Sequence, residues 1–142
     1  MEVKKVLFLC IHNSARSQMA EAFMKHYAGD RFNVMSAGLE PGKLNPYVVQ
    51  VMKEKGIDIS GNRTKSVFDL YDQNMSFDSV VTVCDKEAAD RCPFFPGMSE
   101  KLHWPFDDPS KFTGAGEEIL SGTRRVRDEI EAAVKVFIAE HQ

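Results

Sequence analysis

The sequence predicts an α/β domain in three layers, a four-stranded parallel sheet with helices on both faces. Two observations carry that expectation. Candidate strands alternate with candidate helices, the order of βαβ units, whose parallel sheets are covered on both sides. The strand candidates are also short apolar or β-branched runs, as buried strands are.

The elements follow in order. Residues 6–9, Val-Leu-Phe-Leu, read as a fully buried strand. Residues 17–28 read as a helix with Met19, Phe23 and Tyr27 on one face and Gly29 as its stop. Residues 32–37 give a second strand. Asn45 followed by Pro46 is an N-cap with proline at the first helical position. That helix runs to Lys55, with Val48, Val51 and Met52 inward and Gly56 after it. Residues 79–83, Ser-Val-Val-Thr-Val, give a third strand, and residues 101–104 a fourth. The last helix, 117–140, carries Ile119, Val126, Ile130, Val134 and Phe137 at helical spacing. Right-handed crossovers bring the strand C-termini to one edge, where ligands of such sheets bind. Cys10 and Cys84 follow strands one and three at that edge.

The 142 residues are read as one domain, residues 1–142. The chain is long enough to bury a core without staples. A net charge of −3 gives no general attraction to nucleic acid or to an anionic membrane. An anionic ligand therefore needs a local positive site. The apolar run 6–9 is too short to span a membrane, and polar residues interrupt it where a signal peptide would continue. The expected location is the cytoplasm, where thiols stay reduced. Three cysteines point away from a disulfide framework and toward reactive or merely buried thiols.

Residues 10–16 have the form C-x5-R between a strand and a helix. The spacing alone is common, so the context carries the reading. A loop entering a helix N-terminus aims several backbone N–H groups at one point, and the helix dipole adds to them. The expected oxyanion cradle is Ile11, His12, Asn13, Ser14, Ala15, Arg16 and Ser17. Arg16 can add a bidentate pair. Asn13 tolerates the left-handed backbone a tight cradle requires. Ser14 and Ser17 can bond into the loop or to the sulfur. The same field favours the thiolate of Cys10, the nucleophilic form. His12 faces either the mouth or solvent, and the sequence leaves both open.

Cys10-Ile-His-Asn-Ser-Ala-Arg-Ser-Gln-Met-Ala-Glu21 resembles the signature of the low-molecular-weight protein tyrosine phosphatase fold, and more closely that of the arsenate reductases built on it. Ser36-Ala37-Gly38, Val81-Thr82-Val83-Cys84, His103-Trp104-Pro105-Phe106-Asp107-Asp108-Pro109 and Arg125-Val126-Arg127-Asp128-Glu129-Ile130 continue the likeness along nearly the whole chain.

The resemblance implies a catalytic set of Cys10, Arg16, Cys84, Cys92 and Asp108. Asp108 is the general acid, and Asp107 caps or orients its segment. Cys10 attacks arsenate, Cys84 attacks Cys10, and Cys92 attacks Cys84. A thioredoxin-like dithiol protein then reduces the Cys84–Cys92 disulfide. The resemblance also implies a supporting shell of Asn13, Glu21 and Ser36. In some relatives this shell helps hold potassium. Here Lys65 stands where an acidic or hydroxyl ligand is expected, so its ammonium takes the cation's place or is simply solvated. Two further departures are a Cys84–Cys92 spacing one residue longer than in well-studied relatives, and Ala15 where many carry a cysteine.

The expected ligand is arsenate, with phosphate or sulfate as analogues. No cofactor, metal, nucleic-acid or membrane partner is implied, and the chain is expected to be a monomer. The alternative is hydrolysis of phosphomonoesters through a cysteinyl phosphate. Tyrosine phosphatases of this fold usually carry tyrosines just after Asp-Pro. Ser110-Lys111-Phe112 stands there instead and favours reduction.

Overall fold

A computed structural model describes residues 3–83, 95 and 97–141. Its elements are β1 (Lys4–Cys10), α1 (Arg16–Ala28), β2 (Phe32–Gly38), α2 (Pro46–Lys53), α3 (Val67–Asp72), β3 (Ser79–Thr82), β4 (Glu100–His103), a single 3-10 turn (Pro109–Lys111) and α4 (Gly116–Glu140). The strands form one sheet in the order β2-β1-β3-β4, and every pairing is parallel.

The alternation of β1 divides the core. Val6, Phe8 and Cys10 point to one face, where α1, α2 and α4 supply Met19, Phe23, Val48, Met52, Val126, Ile130 and Val134. Leu7 and Leu9 point to the other, against Val67 and Leu70 of α3, with Phe77 and Phe95. The run from Val6 to Cys10, apolar and buried at every position, is what two covered faces require. Among the described residues the layers are unequal, with three helices on one side and α3 on the other.

Helix α3 is absent from the sequence-based expectation. Its six residues, Val-Phe-Asp-Leu-Tyr-Asp, are too few to show a period. Its one local signal is Ser66, whose side chain accepts from Phe68 N. Other differences are smaller. Strand β3 ends one residue earlier than expected, β4 lies one residue earlier, and α2 stops at Lys53. Asn45 caps α2 as expected, accepting from Tyr47 N and Val48 N, and Gly56 is left-handed with φ +78°. Gly29 follows α1 in right-handed geometry. A Cβ there would meet the Lys25 carbonyl oxygen at 2.5 Å, so close approach is the reason for glycine. Tyr27 does not share the burial of Met19 and Phe23, being 39% exposed. Its hydroxyl turns to Glu131 of α4 instead. On α4, Leu120 is buried and Ile119 only half-buried.

The register sets the site. Cys10 pairs with Gly38 at the ends of β1 and β2, and Leu9 pairs with Thr82 at the end of β3. The loop after Cys10 thus leaves from the carboxyl edge of the sheet.

Candidate active site

The loop from Cys10 to Ala15 is shaped by where its carbonyls go. Segment 39–45, which follows β2, takes four of them. Leu39 N donates to Cys10 O, Glu40 N to Ile11 O, Gly42 N to His12 O and Asn45 N to Ser14 O. Met19 N takes Ala15 O as the first bond of α1. The negative ends of these peptide dipoles are therefore directed onto protein donors. Ala15, the N-cap of α1, has no side-chain acceptor to offer the first-turn N–H groups. Such uncapped donors at a helix start are suited to an anion.

Two donors meet the Cys10 sulfur. Asn13 N donates to Sγ at 2.9 Å, and Ser17 Oγ lies 2.9 Å from it. The direction of the second bond follows from Asn13. Lys65 N donates to Asn13 Oδ1 at 2.9 Å, so the oxygen faces Lys65. Asn13 Nδ2 then faces Ser17 Oγ at 2.8 Å and Ser36 Oγ at 2.9 Å, donating to both. Each hydroxyl keeps its own hydrogen to give. Ser36 gives it to Glu21 Oε1, and Ser17 has the Cys10 sulfur as its acceptor. Asn13 holds this position with φ +54°, in the left-handed region its type tolerates.

Glu21 is buried and meets three donors. Ser36 and Lys65 reach Oε1, the ammonium of Lys65 at 3.6 Å, and Lys25 Nζ reaches Oε2. Lys65 Nζ also donates to Arg63 O at 3.2 Å. The structure thus brings Asn13, Glu21, Ser36 and Lys65 together directly beneath the loop.

Arg16 is buried at the start of α1. Its Nη1 donates to Phe106 O at 3.1 Å, and its Nη2 lies 3.4 Å from Asp108 Oδ2. The arginine therefore joins the loop to the segment carrying the candidate acid. Asp108 Oδ1 caps the 3-10 turn, accepting from Ser110 N at 3.0 Å. Capping falls to Asp108 and not to Asp107, whose Oδ2 pairs instead with Arg125 Nη2 at 3.0 Å. Phe112, after the turn, packs on Gly122 of α4, where a Cβ would meet its ring at 3.0 Å. Asn45 Nδ2 donates to Ser110 Oγ at 3.2 Å, tying the cap of α2 to the same segment.

His12 is half-buried, with its Nδ1 3.0 Å from Glu40 O and its Cβ beside Gly42. Ile11, Ser14 and Ala15 are buried in the loop wall. Cys84 and Cys92 lie outside the described residues. Sequence reasoning missed Gly38, Asn45 as a link to Ser110, Gly122, Arg125 and Gln18. A Cβ at Gly38 would lie 2.7 Å from Ile11 O and 2.8 Å from Asn13 N, so the loop needs glycine under it. A mid-helix glycine such as Gly122 was a readable signal, because glycine there is unfavourable without a packing reason.

A four-stranded parallel sheet with a cysteine–arginine loop at its carboxyl edge defines a small α/β class. The model of the family described as low molecular weight phosphotyrosine protein phosphatase matches residues 5–142, and the chain belongs to that family. An arsenate reductase of Bacillus subtilis (strain 168) is 49% identical over 137 residues, covering 96% of each chain. A solved arsenate reductase in the phosphate binding state superposes with a TM-score of 0.75 at 29% identity, covering 99% of this chain and 100% of that one. A Corynebacterium glutamicum thioredoxin-dependent arsenate reductase matches with a TM-score of 0.63 at 32% identity. That match covers 94% of this chain and 63% of the other.

Proposed function

We propose that this protein reduces arsenate to arsenite with Cys10, Cys84 and Cys92, and that thioredoxin or a similar dithiol protein restores it. One conjunction carries the reading. A cradle built around Cys10 sits in a chain that has two further cysteines and is 49% identical to an arsenate reductase. The solved relative that binds phosphate supports a tetrahedral oxyanion as the ligand.

Arsenate sits among the loop N–H groups of Ile11, His12, Asn13, Ser14, Ala15, Arg16 and Ser17, with the Arg16 guanidinium on two of its oxygens. The Cys10 thiolate attacks arsenic(V). A protonated Asp108 gives its proton to the departing oxygen, which leaves as water. Cys84 then attacks the Cys10 sulfur, and the electron pair of the S–As bond passes to arsenic. Arsenite departs as arsenic(III), leaving a Cys10–Cys84 disulfide. Cys92 attacks Cys84 and frees the Cys10 thiolate. The resulting Cys84–Cys92 disulfide takes two electrons from the partner dithiol. The protein works as a monomer in the cytoplasm, where such a reductant is maintained.

Lys65 takes the part of a monovalent cation beneath the loop. Its ammonium stands 3.6 Å from Glu21 Oε1, the oxygen that also accepts from Ser36. Rate and melting temperature are expected to be equal in sodium and potassium buffers. A clear potassium dependence would contradict this assignment.

Steady-state turnover tests the whole reading. Arsenate should drive electron flow from thioredoxin and its reductase in the unaltered protein. Replacing Cys10, Cys84 or Cys92 by serine should each abolish it. Full turnover by the Cys92→Ser variant would remove the relay.

A second reading, hydrolysis of aryl phosphates by the same Cys10 and Asp108, has one observation in its favour. A cleft of about 280 Å3 opens beside the acid segment, where Tyr47, Pro109 and Phe112 would meet an aromatic group and Lys43, Asn45 and Ser110 add polar groups to the lining. It supports a side activity, since hydrolysis leaves Cys84 and Cys92 without a use.

A further inference from the structure

We propose that Gln18 is a positioning residue that, together with the Lys65 backbone N–H, fixes which way round the Asn13 amide sits, and thereby how many hydrogens reach the Cys10 sulfur. The inference rests on Cys10 being the nucleophile.

Gln18 lies in the first turn of α1 and is 0% exposed. Its Nε2 stands 3.1 Å from each of three acceptors: Asn13 O, Asn13 Oδ1 and Arg63 O. Its Oε1 accepts from Asn62 Nδ2 at 3.1 Å. Two of the three acceptors are backbone carbonyls, which can only accept. The nitrogen of Gln18 must therefore face them, and the orientation of its amide is settled by the main chain.

Two consequences follow for Asn13. Its carbonyl is the one from Cys10 to Ala15 that neither segment 39–45 nor α1's backbone takes. Gln18 takes it and so holds the left-handed turn at Asn13. Its side-chain oxygen accepts from Lys65 N and shares, in a three-centre bond, one of the two Gln18 Nε2 hydrogens. Were the amide reversed, Asn13 Nδ2 would face both donors in a buried place, and Ser17 and Ser36 would each face an oxygen. The Ser17 hydrogen would then be drawn to Asn13 and away from Cys10. A buried donor set against donors is strongly disfavoured. Gln18 and Lys65 N thus enforce one polarity, which runs from Asn13 to the Ser17 hydroxyl and on to the sulfur.

Gln18→Met keeps the length and removes the donor. Gln18→Glu keeps the shape and sets an acceptor against three acceptors. The readout is alkylation of Cys10 by iodoacetamide in the fully reduced chain, followed by peptide mass spectrometry across pH. In the folded Met variant, Cys10 is expected to react about tenfold more slowly at neutral pH. Its reactivity profile is expected to move to higher pH, and the Glu variant to move further. A folded Met variant with a rate and profile within twofold of the unaltered protein would overturn the proposal, because a merely space-filling Gln18 changes stability and not thiol reactivity.

A second measurement needs no variant. NMR contacts from the Asn13 side-chain NH2 should run to the Ser17 and Ser36 side chains. Contacts running to the Lys65 N–H instead would overturn the proposal. Neither readout uses arsenate, so failure of the functional reading, seen as turnover by Cys10→Ser, is distinct from failure here.

Discussion

Asp108 holds its segment at two points. Its Oδ1 caps the turn at Ser110, and its Oδ2 lies beside Arg16. An asparagine keeps the capping oxygen but loses the transferable proton. Asp108→Asn is therefore expected to lower kcat for arsenate by about 100-fold or more. Inhibition by phosphate should stay within about threefold, the range of a lost neighbour and not of a lost cradle. Unchanged turnover would remove the acid assignment. The same contrast explains what was legible at this scale. Cys10, Arg16 and Asn13 were readable because cysteine, arginine and a left-handed residue are chemically distinctive within a strand–loop–helix context. Gln18 and Gly38 were not. Their parts depend on carbonyls at Asn13, Arg63 and Ile11 that only the folded chain brings to them.

At the scale of elements, α4 does two jobs. One end seats the acid segment, with Phe112 on Gly122 and Arg125 between Asp107 and the Phe112 ring. Gly122→Ala should gain about 1 kcal/mol of helix propensity while pushing the Phe112 ring away. Turnover is expected to fall several-fold with the melting temperature unchanged or raised. Unaltered turnover would show that the seat does not position Asp108.

Further along, Glu131 joins α4 to α1 through Tyr27 and to the end of α2 through Lys55. Burial pushes the Glu131 carboxyl up, but the Tyr27 hydroxyl and the Lys55 ammonium outweigh it and hold the group below its ordinary value of 4.5. A depressed folded-state value contributes stability above the unfolded value, lost as pH falls through the folded one. Glu131→Gln should therefore cost about 1–2 kcal/mol at neutral pH. The gap to the unaltered protein should begin to narrow below about pH 4.5 and close as pH falls through the lower folded-state value in acid unfolding curves. A gap independent of pH would show that packing, not charge, holds the seam. Elements such as β1 and α4 were legible because their patterns run long or are apolar throughout. Helix α3 was hidden by its brevity, and Tyr27 left the buried face because Glu131 offered its hydroxyl a partner.

For the whole molecule, topology does the assembling. Parallel pairing in the order β2-β1-β3-β4 puts the end of β1 between the ends of β2 and β3. Gly38 then lies against the loop. The alternation of strands and helices was enough to foresee a sheet with one functional edge. The short layer was not foreseeable, because α3, which packs on Leu7 and Leu9, is too brief to show a period. The central claim is that this edge reduces an oxyanion. The most direct test is to react the fully reduced protein once with arsenate and to map its disulfides by mass spectrometry. The expected result is a Cys84–Cys92 bond with one arsenite released per chain. Catalytic phosphate release from an aryl phosphate, with no disulfide and no arsenite, would contradict it.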